Sequence, residues 1–295
     1  MKTVTNQQSP RKEEKDGHAV QQVQRTLNLT VVILSLLALV FLAPFAWLLI
    51  TALKDSSELA AFPIQWLPQQ LQWTNFRTAV TIIDYKRYAI NSVMLALLYT
   101  ILTTLSCALV GFAFARLQGW GKRVLFAVML ATIMLPPILT AIPTYILFSH
   151  LGLIDTYWPW VLWGLGTSPF FTFLFRQFFA GIPRELEEAA IIDGCNYLQI
   201  FWQIFLPLSK PVVATVAILS FTFVWGDWFT PSLFLSDQHT TLAVAVQSGY
   251  IDEHGQLLIN LVASGAILYI LPVLFLFFVA QRYFVQGIVT SGLKG

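Results

Sequence analysis

The stretch "ELEEAAIIDG", Glu185 to Gly194, places three carboxylates (Glu185, Glu187, Glu188) ahead of two alanines and closes on Asp193 and Gly194. Long apolar tracts flank it on both sides, so it is a compact acidic island in an oily chain. Only 11% of the 295 residues are charged and 57% are hydrophobic, whereas a soluble domain carries about 25% charged residues. The bilayer is therefore the solvent to test first. A net charge of +2 gives no ground for a nucleic-acid partner, and the sign asymmetry along the chain carries more information than the total.

Working outward from the island, six apolar runs are long enough to cross ~30 Å of hydrocarbon as helices of about 20 residues. They cover residues 31–53, 89–115, 124–148, 157–179, 211–235 and 257–280. The first is too long for the core of a signal peptide. The expected fold is an all-α membrane protein of six transmembrane helices. Residues 1–29 form a polar N-terminal tail, expected to be disordered as it runs into the first helix, and residues 30–295 form the membrane domain.

Orientation follows from lysine and arginine, which accumulate in cytoplasmic loops. With the N-terminus inside, Lys2, Arg11, Lys12, Lys15, Arg25, Arg116, Lys122, Arg123, Arg176, Arg184, Lys210, Arg282 and Lys294 fall on the inner side. Lys54, Arg77, Lys86 and Arg87 fall outside, thirteen against four of the 17 basic residues. Both termini are then cytoplasmic, and the acidic island lies in a cytoplasmic loop between spans four and five. The aromatic run Tyr157 to Trp163 is expected at the outer headgroup level. Prolines 136, 137 and 143 in span three and Pro231 in span five are expected to kink their helices, as suits walls of a cavity.

Within the loop, Pro183 fits a first helical position and the glutamates sit where the helix dipole favours anions. Gly194 is a natural stop, and Asn196 can cap a second helix, "YLQIFWQIF", ending near Leu206. The product is a helix–Gly–helix elbow whose first helix has one face nearly bare of side chains. That face fits a cleft on a soluble partner; the competing reading is an interfacial hairpin, disfavoured because the inner leaflet repels acid. Catalytic and nucleotide motifs are missing. "GWGKR" at Gly119 to Arg123 lacks the first glycine and the Ser/Thr of a P-loop, the four histidines are scattered, and Cys107 and Cys195 show no metal or redox spacing.

"EAAIIDGCNYLQIFWQIFLPLSKP", Glu188 to Pro211, resembles the EAA loop of binding-protein-dependent ABC importer permeases. "FPIQWLPQQLQWTNF" (Phe62 to Phe76), "NSVMLAL" (Asn91 to Leu97), "FVWGDWFTPSLFL" (Phe223 to Leu235) and the C-terminal "QRYFVQGIVTSGLKG" extend the resemblance to the carbohydrate-uptake branch, of the maltose-type second subunit. The resemblance implies a permease subunit of the bacterial inner (plasma) membrane that breaks no bonds and binds no cofactor, with ATP and Mg on a separate cytoplasmic ATPase dimer. It also implies a second homologous permease and an extracytoplasmic solute-binding protein, which the outer loop 236–256 would probe. Glu188, Ala189, Ala190, Asp193 and Gly194 correspond to the ATPase contact, and Gln286, Gly287, Lys294 and Gly295 to the tail at the ATPase interface.

For the solute, Asp227 is the one carboxylate inside a span, between Trp225 and Trp228. It is either a sugar platform or a gate-sealing group paired with its surroundings. Asn91 and Thr140 either face the pathway or join helices. An ion-gradient-driven secondary transporter is the alternative, but it needs intramembrane acid or histidine relays, and Asp227 alone would have to serve.

Overall fold

The computed structural model describes the backbone of residues 10–292 and the side chains of residues 28–279 and 281. The described chain is helical, with one isolated antiparallel bridge (Ile251 to Leu257) and no strand among the described residues. Helix α1, Pro10–Ala52, is continuous for 43 residues, so helix begins well inside the segment whose polarity had suggested disorder. Its apolar part, Asn28–Ala52, is long enough to cross a membrane, and its side chains stay uncovered until the last turn, where Thr51 to Lys54 are buried. Two short helices follow, α2 (Ser56–Leu59) and α3 (Thr74–Ile82). Asn75 of α3 ties them back to α1 by donating to the carbonyls of Ala52 (2.9 Å) and Lys54 (2.8 Å).

Helix α4, Tyr85–Arg116, is the central post. It packs against α7 (Trp158–Leu165), α8 (Pro169–Ala180) and α12 (Lys210–Gly226). Gly111 makes the α4–α8 approach possible: a Cβ there would lie 2.6 Å from the Phe175 Cβ, so only hydrogen fits.

Three of the six apolar runs are not single straight helices. Residues 124–148 are split into α5 (Lys122–Ala131), a 3₁₀ turn (Thr132–Met134) and α6 (Pro137–His150), bent by 102°. The Pro136–Pro137 pair causes the break. Proline offers no N–H to the helix, and a residue before proline is pushed into extended backbone, as Leu135 (ψ 118°) and Pro136 (ψ 129°) are. Residues 157–179 divide into α7 and α8 around Thr167, which adopts φ +67°. At 1.5 Å per residue neither piece alone reaches across ~30 Å. Residues 211–235 end as a helix at Gly226, where Asp227 is extended, and resume as α13 (Phe229–Phe234). Pro231 therefore sits inside a short separate helix and is not the kink of a long one.

The elbow lies between α8 and α12. It comprises α9 (Arg184–Ile192), α10 (Tyr197–Ile200), a π-helical turn (Phe201–Phe205) and α11 (Leu206–Leu208). The chain then turns by 81° into α12. Beyond α13 come α14 (Leu242–Ser248) and the long α15 (Ile259–Gly292), against which α1, α3 and α12 pack. Among the described residues three helices are long and apolar enough to cross a membrane, or up to five if each bent pair counts as one crossing.

Candidate functional site

The elbow forms as its sequence dictates. Pro183 is the N-cap of α9, one residue earlier than expected, and Glu185 and Glu187 lie in the first turn. Gly194 follows at φ +85°, with the amide of Cys195 bonded back to the Ala190 carbonyl at 2.9 Å. Asn196 and Gln199 close a reciprocal capping box on α10, each side chain accepting from the other residue's backbone N–H.

What holds the elbow is a group that sequence reasoning counted only as a charge. Arg116 ends α4 and reaches under α9, where its guanidinium lies 3.5 Å from the Glu187 carboxylate, the two side chains 5% and 13% exposed. It also donates to the carbonyls of Phe179 (2.7 Å) and Ile182, and lies 4.9 Å from the centre of the Phe205 ring. One planar cation thus ties together α4, the end of α8, α9 and the π turn, a role that suits the fixed fork of arginine. Around it Phe112, Phe175, Phe179, Phe201 and Phe205 form an aromatic cluster, with Phe112 and Phe205 4.9 Å apart, centre to centre, and edge-on. No local signal in the sequence joins Arg116 to Glu187, because the pair spans 71 positions.

The expected bare face needs correction. Ala190 is 5% exposed and packs into this aromatic cluster with Ile200, so it faces the chain's own interior. The outward side of α9 carries Glu188, Ala189, Ile191 and Ile192, followed by Asp193 and Gly194, all exposed. Ile192, at 85%, is the most uncovered of the large apolar side chains here. One residue, about 100° of helix rotation, separates the anchored Ala190 from the free Ala189.

The proposed sugar platform also comes apart. Trp225 is 2% exposed and stacks between Phe221 and Tyr269, its Nε1 donating to the Tyr269 carbonyl at 3.2 Å. Trp228 is exposed and lies edge-on to Phe229. The two indoles therefore do not sandwich Asp227. Asp227 instead caps α13, accepting from the Thr230 amide at 3.0 Å, and lines a cavity of about 330 Å³. Thr140 lines the same cavity, with Tyr99, Trp160, Trp163 and Phe223. Trp160 is 2% exposed, so this part of the aromatic run is core and not a headgroup belt.

Asn91 is not at that cavity. Its Nδ2 donates to the carbonyls of Gln238 (3.2 Å) and Thr240 (3.1 Å), gripping the loop between α13 and α14. The same loop is held by Tyr88, which donates to Asp237 (2.8 Å), and by Ser92, whose hydroxyl accepts from the Leu242 amide (2.7 Å). On its other side Asp155 accepts from the Ser236 amide (2.8 Å) and meets His239 Nδ1 at 2.9 Å. Hydrogen bonds from the Ser236 side chain and backbone, then from His239, hold the Asp155 carboxyl below the usual carboxylate range. At the base of α14, burial pushes the Tyr250 hydroxyl up, while it donates to the Ala79 carbonyl at 3.0 Å. Gln286 and Gly287 fall in α15, their side-chain positions outside the described residues, as are Lys294 and Gly295 altogether. Among the described residues no group of His, Cys, Asp and Glu could hold a metal ion.

Apolar helices of membrane-crossing length describe a multi-pass membrane protein, with the elbow and the cavity beside the Asp227 break as its candidate sites. Residues 107–290 match the family of binding-protein-dependent transport system inner membrane components, and the chain belongs to that family. It is 34% identical over 270 residues to the maltodextrin transport system permease protein MdxG of Bacillus subtilis (strain 168), covering 90% of this chain and 95% of the relative. It is 28% identical over 274 residues to the melibiose/raffinose/stachyose import permease protein MelC of the same organism, covering 92% and 98%. Its fold matches a chain of a bacterial ABC transporter that imports the acidic polysaccharide alginate, with a TM-score of 0.76 at 21% identity over 88% of this chain and 97% of that one.

Proposed function

We propose that this chain is one half of the membrane passage of an ATP-driven importer for a sugar or sugar-like solute. In this reading α1, α4, the α5–α6 pair, the α7–α8 pair, α12 and α15 make six crossings, with both termini cytoplasmic. A second, homologous permease supplies the other half of the passage. An extracytoplasmic binding protein delivers the solute to the side that bears the loop after α13. ATP and Mg are bound by a cytoplasmic ATPase dimer, which meets the elbow through Glu188, Ala189, Asp193 and Gly194 and meets the tail around Gln286, Gly287, Lys294 and Gly295. The named relatives that import maltodextrin and raffinose-type sugars support the solute class.

The observation that carries the reading is the two-sidedness of α9. Its inner side is fixed to the transmembrane core by Ala190, Glu187 and Arg116, and its outer side is free. A push on the outer side therefore moves α4 and α8 with it, as a lever requires. Within the passage, Asp227 and the threonines Thr140, Thr144 and Thr230 supply polar groups in a cavity otherwise lined by aromatic and aliphatic residues, while Trp225 and Asn91 act as supports.

The test is a cysteine at Ala189 or at Ile192 in a Cys107→Ala/Cys195→Ala background. Each should crosslink to the ATPase subunit in assembled transporter, and uptake of a labelled oligosaccharide panel should require ATP. Uptake that survives ATP depletion and collapses with a protonophore, with no crosslink from either position, would replace this reading by gradient-driven transport.

A further inference from the structure

Beyond the passage and the elbow, the turn between α4 and α5 holds a second cavity that the transport reading leaves unused. It is open, has a volume of about 920 Å³ and is lined by Trp120, Lys122, Arg123 and Arg176 together with Gln118 and the two flanking glycines. None of its lining residues is acidic, and none of the three cations has a carboxylate within ion-pair distance among the described residues. Two of the cations are held in place. The Lys122 ammonium donates to the Leu117 carbonyl at 2.6 Å, and the Arg176 guanidinium lies 4.3 Å from the centre of the Phe126 ring. α5, ten residues long, starts here on Gly121 with no side-chain cap, its Lys122 amide bonded back to the Gly119 carbonyl at 3.4 Å.

A separate observation supplies the rest of the ligand. A groove of about 390 Å³ adjoins this cavity, sharing Gln118, Gly119, Trp120, Lys122 and Leu125 with it. The groove then runs along α4 over Leu109, Val110, Ala113, Phe114 and Leu117, all apolar. Trp120 is fully exposed where the basic and apolar parts meet, the position an indole takes at the boundary of headgroups and acyl chains. A basic cup continuous with an apolar channel, marked by an exposed tryptophan, has the polarity of a single amphiphile with an anionic head.

We propose that the α4–α5 turn is a binding site for one anionic phospholipid, its phosphate held by Lys122, Arg123 and Arg176 and one acyl chain lying in the groove over Ala113. Clustered Lys and Arg at a membrane surface attract anionic headgroups, and the groove adds apolar burial that a free phosphate cannot use. The occupant is thus a lipid and not an inorganic anion.

The test uses the full-length chain in detergent, with mixed micelles of dioleoyl-phosphatidylglycerol and dioleoyl-phosphatidylcholine. Lipid retained after delipidation is counted by mass spectrometry of the intact protein. Phosphatidylglycerol should be retained at least about fivefold over phosphatidylcholine. Lys122→Gln/Arg123→Gln/Arg176→Gln should lower retention about tenfold. Ala113→Trp, which fills the groove and leaves every cation in place, should lower it at least about threefold. Arg77→Gln/Lys86→Gln, in α3 and in the first turn of α4, should leave it unchanged. If the triple variant is not monodisperse, Arg123→Gln and Trp120→Ala, both at exposed positions, should each lower retention about threefold. Equal retention of the two lipids, wild-type retention by the neutralised variants, or full displacement by inorganic phosphate with Ala113→Trp inert would each overturn the proposal.

Discussion

Phe175 in α8 and Ile142 in α6 belong to apolar runs of the same sequence character, yet Phe175 is 0% exposed and Ile142 is 70% exposed. The first belongs to the region around Arg116, where α4, α8 and the elbow close on one another over the buried rings of Phe112, Phe175, Phe179, Phe201 and Phe205. The second belongs to the broken α5–α6 segment, whose Leu139 and Ile142 are 67% and 70% exposed. Two proline residues give this segment its bend, and no described residue covers those side chains. The contrast teaches that hydrophobicity alone does not say who the neighbour is. One region is finished by its own chain and can transmit displacement as a unit. The other leaves an apolar outer face for lipid or another protein surface to cover.

The largest effects should come from breaking the finished region at the only buried ion pair among the described residues. Arg116→Met leaves Glu187 without its partner and removes a donor from the Ile182 carbonyl, which should cost about 3–5 kcal/mol. Arg116→Met/Glu187→Leu should recover most of that loss, because a buried pair can be replaced by well-packed apolar groups at little cost. Denaturant unfolding in detergent reads both. Equal stability of the single and the double variant would mean that the pair is not what fixes the elbow.

The comparison itself is tested by equal truncation on its two sides. Phe175→Ala should cost about 3–5 kcal/mol in the isolated chain. Ile142→Ala should stay within about 0.5 kcal/mol there, while lowering recovery of the assembled permease pair. If Ile142→Ala is as destabilising as Phe175→Ala in the isolated chain, the α5–α6 face is covered by this chain after all.

A smaller contrast lies within α9. Ala190→Leu adds bulk to the closed aromatic cluster and should cost about 1–3 kcal/mol. Ala189→Leu, one position away and exposed, should leave stability within about 0.5 kcal/mol while abolishing ATP-dependent uptake. Thermal unfolding and uptake measured on the same preparations separate the anchoring face from the docking face.

These contrasts mark what the sequence could and could not carry. The elbow's boundaries were readable because Pro183, Gly194 and Asn196 act through their own backbone. The apolar runs were readable because about 20 residues of hydrocarbon-compatible chain is a local property. Where a run breaks was harder: Pro136–Pro137 announces its break, whereas Thr167, just ahead of Ser168–Pro169, and Asp227, just after Gly226, carry weaker local marks. The orientation of small and aromatic residues was not readable. Ala190 facing inward, Trp225 stacked on Tyr269 and Arg116 paired with Glu187 all depend on partners far away in the chain. A composition that favours burial against lipid and against protein equally cannot choose between them.

The smallest effect belongs to the polar counterpart of the arginine anchor, the loop after α13. There Asp155 occupies φ +61° and holds the Ser236 amide and His239 from across the chain. Its carboxyl is held below the ordinary value by those hydrogen bonds, so the folded state binds a proton less readily than the unfolded state. The contribution is therefore fully present above the ordinary carboxylate range, ~3.9, and is lost as pH falls below it through the lowered value. Hydrogen exchange of the Ser236 amide should stay slow at pH 7 and 5, after correction for intrinsic rates, and lose protection only toward pH 3 and below. Asp155→Asn can keep the left-handed backbone, which asparagine tolerates, and should flatten that dependence with only a modest loss of protection at neutral pH. An acid transition that persists unchanged in Asp155→Asn would assign it to another group, and the loop's grip on the α6–α7 turn would then rest on Tyr157, whose hydroxyl donates to the His239 carbonyl at 3.0 Å.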